Sequence, residues 1–108
     1  MNYEKYYKNG NVAVLYSPGF GAGWYSWNQG RNNAQLLLFD KDIVQAVLDG
    51  ERGLAAKIAE EKMQGYCCVL GAEDLEVEWL PKGTAFEISE YDGSESVRII
   101  GREEFLVA

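Results

Sequence analysis

Residues 17–27 read SPGFGAGWYSW, with Gly19, Gly21 and Gly23 at alternate positions and Trp24, Tyr25 and Trp27 directly after them. Glycine tolerates positive φ and lets a backbone approach a ligand closely. Successive amide N–H groups in such turns form a concave nest for anions such as phosphate. A flat ring beside that nest can stack on a base, an interaction of roughly 1–3 kcal/mol. Arg31 is near enough in sequence to add a charge-assisted, bidentate contact to a phosphate. Ser17, Gly19, Phe20, Gly21, Gly23, Trp24, Tyr25, Trp27 and Arg31 therefore make a candidate nucleotide pocket. Asp92 and Ser94, in a polar hairpin tip, join them as groups that could face the same ligand.

Neither standard phosphate-binding motif is present. A dinucleotide fingerprint needs G-x-G-x-x-G leading into a helix, and Trp24 stands where its third glycine belongs. No Gly-Lys-Ser/Thr follows, so the stretch is not a Walker A loop. A plainer reading competes with the pocket: indoles in a long loop can fold back and plug the end of a sheet. An irregular segment of about 17 residues tends to be functional or disordered, and aromatic content argues against disorder. The sequence supports both readings.

The remaining composition narrows the chemistry. No histidine is present, which removes histidine acid–base catalysis, histidine-ligated zinc and Cys-His nucleophiles. Cys67 and Cys68 are adjacent, so in an extended chain they point to opposite faces and do not chelate together. They read as reduced, buried thiols. No catalytic or metal constellation emerges, and the expectation is a non-enzymatic protein without a cofactor. The net charge of −7 argues against direct nucleic-acid binding. Glu73, Asp74, Glu76 and Glu78 leave open an acidic inhibitor that blocks another protein or a nuclease, although Glu76 and Glu78 are more simply the wet face of a strand. No apolar run approaches the ~18 residues of a membrane span, and the first residues have no apolar signal core. These features point to a cytoplasmic protein that avoids membranes.

The elements that must position the pocket follow from turn chemistry and period. Tyr3 to Tyr7 and Val12 to Tyr16 flank Asn9-Gly10, the strongest two-residue hairpin signal. NVAVLY is apolar on both faces and reads as an interior strand. AQLLLFD, residues 34–40, reads as a short strand, after which Asp40 or Asp42 caps a helix ending at Gly50. A second helix spans about residues 51–64 and ends at Gly65. LEVEW alternates as a half-buried strand. TAFEISEY and ESVRIIG flank a second turn at Asp92-Gly93, and Phe105 to Ala108 could add a last strand. The 108 residues suit a single α+β domain: a mainly antiparallel sheet of hairpins with two central helices packed on one face.

SPGFGAGW, LLFD and LEVEWLPKGTAFEISEYDGSES together resemble a group of small phage and prophage proteins, over most of the chain from Val12 onward. The resemblance implies a phage accessory role. A compact protein of that kind could disarm host defence by sequestering a signalling nucleotide or by blocking a defence protein. No catalytic residue carries over. Finally, fourteen aromatics, with Tyr3, Tyr6 and Tyr7 along an edge hairpin, suggest a homodimer or higher homo-oligomer.

Overall fold

Two tight turns set the framework. The computed structural model describes residues 3–21, 23–65, 67–100 and 106–108. In it Asn9 and Gly10 have φ of 52° and 81°, and Asp92 and Gly93 have 55° and 87°. Positive φ at both central positions is the type I′ geometry that matches strand twist. The first turn joins β1 (Tyr7–Lys8) to β2 (Asn11–Tyr16), and the second joins β4 (Ala85–Tyr91) to β5 (Ser94–Ile99). With β3 (Glu76–Pro81) and β6 (Leu106–Val107) these strands form two three-stranded sheets, ordered β1-β2-β3 and β5-β4-β6. Every pairing is antiparallel among the described residues. The α+β class is as expected, with two small sheets in place of one. β6 matches the expected last strand, although Phe105 lies outside the described residues.

β2 is the interior strand its composition suggests: Val12, Ala13, Val14 and Leu15 are all fully buried. The first hairpin is shorter than expected. Only Tyr7–Lys8 pairs as β1, while Lys5 bridges to Asp40 and the Lys41 N–H donates to Glu4 O (2.8 Å). Tyr3 consequently stacks on Phe39 (6.3 Å between centroids), and Tyr6 meets Trp79 edge-on (5.8 Å). These two tyrosines are packed within one chain.

Residues 34–40 correct the sequence reading most clearly. Leu36–Phe39 form one helical turn, α1, and not a strand. All four side chains are buried, so no polar face exists to reveal the helical period, and four residues are too few to display one. Asp40 then caps α2 (Lys41–Leu48): its Oδ1 accepts the N–H groups of Asp42 (2.9 Å) and Ile43 (3.1 Å). Its other oxygen accepts from Lys62 Nζ (2.8 Å) on α3 (Arg52–Lys62). Gly50 ends α2 in the left-handed conformation. α1 and α2 pack on β2, and α3 packs mainly on α2 and on the 3-10 turn Leu70–Asp74. No helix among the described residues is long and apolar enough to cross a membrane.

Candidate functional site

The segment between β2 and α1 is organised around one carboxylate. Glu95, on β5, is 1% exposed. Its Oε1 accepts the Ser17 N–H (2.9 Å), and its Oε2 accepts the N–H groups of Trp24 (2.7 Å) and Ser26 (2.8 Å) and the Ser26 hydroxyl (2.6 Å). The Glu95 N–H in turn donates to Ser17 O (2.7 Å). A buried charge is tolerable only when hydrogen bonds replace its hydration, and four donors do that here. These donors are not the glycine amides of the expected phosphate nest, and the anion they surround is the protein's own carboxylate.

The glycines serve the same closure. A Cβ on Gly19 would overlap the Asp74 carboxylate, and one on Gly23 would overlap Ser26 Oγ and the Trp27 ring. Gly21, at φ 99°, donates its N–H to Asp92 O (2.9 Å). The Ser94 hydroxyl donates to Pro18 O (2.6 Å), and the Ser17 hydroxyl donates to Gly71 O (2.9 Å). Ser17, Gly19, Gly21, Asp92 and Ser94 thus tie the loop to the hairpin tip and to the 3-10 turn, and Gly23 packs within the loop. The hydroxyls of Ser17 and Ser94, the Gly21 N–H and the Asp92 carbonyl have partners inside the protein in place of the ligand expected for them.

Trp24 requires the plainest correction. It is 0% exposed, and its indole N–H donates to Leu37 O (2.6 Å). A ring with no free face cannot stack on a base, so Trp24 belongs to the core. Of the other aromatics, Phe20 is 73% exposed and Trp27 is 41% exposed. Asn28, fully buried, closes this half of the loop: its Nδ2 donates to Trp24 O (2.7 Å) and Cys68 O (2.8 Å), and its Oδ1 accepts the Cys68 N–H (2.6 Å).

Beyond Asn28 the chain runs through consecutive turns, with Gly30 at φ 93° and Asn33 at φ 63°. Here Arg31 and Tyr25, both expected site residues, line a recess of about 350 Å³ with Tyr3, Asn33 and Gln35. Arg31 is exposed, and among the described residues its side chain has neither an ion-pair nor a hydrogen-bond partner. The Tyr3 hydroxyl is buried and also lacks a partner among those residues. Burial, and then the Asp40 charge, push the Tyr3 phenol up. Burial also pushes Tyr25 up, with Gln29 acting in the opposite sense. Both phenols therefore stay protonated near neutrality and can donate. The recess offers a cation, phenol donors and two carboxamides, a set that suits an anion carrying a polar ring.

Sequence reasoning missed Tyr3, Asn33, Gln35 and, above all, the anchoring role of Glu95. A signal for Glu95 was present: an Asp92-Gly93 turn sets Glu90 directly opposite Glu95. Like charges so placed are destabilising unless one has other partners. The cysteines lie near the recess, and burial pushes the Cys67 thiol up, with Glu60 and Cys68 adding and Arg31 opposing. A protonated thiol is a poor nucleophile. Among the described residues no group of three or more His, Cys, Asp or Glu side chains could hold a metal ion. No family model, curated protein or solved structure matches this chain.

Proposed function

We propose that the protein is a non-enzymatic binder of a small, phosphate-bearing ligand of the nucleotide type, held in the recess lined by Tyr3, Tyr25 and Arg31. The observation that carries this reading is the unpaired, exposed Arg31 guanidinium beside two phenols in one concavity. A guanidinium suits phosphate oxygens, and the exposed Asn33 and Gln35 carboxamides suit the edge of a base. Among the described residues lining the recess none is a nucleophile or a general base, and in this reading the ligand is held and not converted. In the phage setting that the resemblance implies, such a protein acts in the host cytoplasm and sequesters a signalling nucleotide.

Thermal-shift screening against cyclic mono- and dinucleotides and ADP-ribose derivatives tests the proposal, with Arg31→Ala as the control. A ligand at a hundred times its dissociation constant stabilises the folded form by about 2.7 kcal/mol, a plainly measurable rise in Tm. The expected result is a shift for at least one compound that Arg31→Ala removes. A flat response across the panel, or a shift that survives the substitution unchanged, overturns it.

A further inference from the structure

An acidic protein with ten Lys and Arg residues brings four of its lysines to one corner of the first sheet, Lys5, Lys41 and Lys82 about Tyr7 and Lys8 over Trp79 across the strand. Strand register explains how residues so distant in sequence converge. The first hairpin sets Lys8 opposite Asn11, and β2 sets Asn11 opposite Pro81, so Lys82 arrives beside the Asn9-Gly10 turn and donates its N–H to Gly10 O (3.0 Å). The bridge between Lys5 and Asp40 brings Lys41 alongside Lys5. Tyr7, 53% exposed, sits among them. Lys5, Tyr7 and Lys41 line two adjoining recesses of about 590 and 610 Å³, the first extended by Lys8 and the second by Glu4.

Among the described residues the lysines are held in place with little neutralisation. Lys82 Nζ lies 5.6 Å from the Tyr7 ring centroid, Lys8 Nζ 5.9 Å from that of Trp79, and Lys5 Nζ 4.5 Å from that of Phe39. Lys5 also donates to Val107 O (3.0 Å). Cation–π contacts fix an ammonium while leaving its charge intact. Among the described residues the only acid paired with any of the four is Glu4, which meets Lys41 at 3.5 Å with both side chains exposed, a weak arrangement. Asp40, buried nearby, is engaged by Lys62. Burial, and then the Lys82 charge, pull the Lys5 pKa down, so this face carries repulsion that a bound anion would relieve.

We propose that the corner formed by Lys5, Lys8, Lys41 and Lys82 around Tyr7 is a second binding site, bordering the Arg31 recess at Tyr3, for a small polyanion of the nucleoside-polyphosphate class. The ammonium groups engage consecutive phosphates, and the Tyr7 ring packs on the attached flat ring. A symmetric second copy is a poor occupant, because it would set lysines against lysines. A long nucleic acid is also a poor one. Beyond a Debye length of about 10 Å at 0.1 M salt its phosphates leave this face and meet a protein of net negative charge.

Calorimetric titration of the full chain with ATP, with inorganic tripolyphosphate and with a single-stranded DNA of about 20 nucleotides separates these occupants at low salt. Both small polyanions are expected to bind, ATP the more tightly, and binding should weaken as salt rises. The charge reversals Lys8→Glu and Lys82→Glu together should weaken ATP by about tenfold or more, and Tyr7→Ala should remove the advantage of ATP over tripolyphosphate. Lys57→Glu, at an exposed lysine of α3 that lines neither recess, should leave both unchanged, which separates an effect of this site from one of net charge. Lys41→Gln, a milder change, should weaken ATP severalfold if the reversals disturb folding. The proposal is overturned by failure of both small polyanions to bind at millimolar concentration, by lysine variants that bind as the wild type does, or by DNA binding more than about tenfold tighter than ATP.

Discussion

The two halves of the segment between β2 and α1 treat their polar groups in opposite ways. From Ser17 to Asn28, amides, hydroxyls and a carboxamide are matched with Glu95, Gly71, Leu37 and Cys68 inside the protein. From Gly30 to Gln35 the chain is exposed except at Ala34, and Arg31 is left without a partner among the described residues. The glycines and indoles that suggest a ligand site are mostly used in folding the loop. The binding we propose lies where a charge is left over. A glycine-rich, aromatic loop is evidence for a built structure before it is evidence for a ligand.

Substitutions in the closed half should cost stability first. Trp24→Ala removes a fully buried indole and its hydrogen bond, and we expect a loss on the order of 4 kcal/mol in denaturant unfolding. A loss under about 1 kcal/mol would return the ring to the surface and collapse the contrast between the halves. Glu95→Gln comes next, at about 2–3 kcal/mol, because a carboxamide offers one acceptor oxygen and sets its NH₂ against backbone donors. Gly19→Ala should cost about 1 kcal/mol, and much less in an Asp74→Gly background, a double-mutant cycle that isolates the close approach of the two residues. Arg31→Ala, in the open half, should stay within about 0.5 kcal/mol of the wild type while removing ligand-induced stabilisation.

Alkaline pH gives a smaller, global check. The pKa values of Tyr3, Tyr16 and Tyr25 are raised by burial, which Asp40 reinforces at Tyr3 and Glu76 and Glu78 at Tyr16. At Lys62 burial acts downward, but the hydrogen bonds and charges of Asp40 and Asp42 outweigh it and leave the pKa raised. Groups raised in the folded state favour folding below their unfolded pKa, and that contribution is lost as pH climbs through the folded value. Lys5, lowered by burial and Lys82, works in the opposite sense as a single group. Denaturant midpoints should therefore be flat up to about pH 9 and fall above about pH 10. A midpoint that rises there would contradict these assignments.

Much of the fold was legible because short-range chemistry determines it. Asn9-Gly10 and Asp92-Gly93 need positive φ, and those dipeptides tolerate it. Asp40 caps α2 through its own neighbours. Leu36–Phe39 was not legible, since a run buried on every side carries no period. For the site, Tyr25 and Arg31 were within reach of local reasoning. Tyr3 and Gln35 join them through tertiary packing, and Trp24 was ambiguous because a plug and a stacking platform have the same composition. Glu95 was hidden between two serines near a polar hairpin tip, and only the register opposite Glu90 hinted at it.

Residue-resolved amide hydrogen exchange on the wild type and on Glu95→Gln, under conditions where both are folded, tests the division of the loop most directly. We predict that the Ser17, Trp24 and Ser26 amides are protected in the wild type and exchange at least about a hundredfold faster in the variant. The amides of residues 30–33 should exchange alike in both proteins. Equal protection across the two halves, or loss of protection at residues 30–33 as large as that at Trp24, would contradict the account.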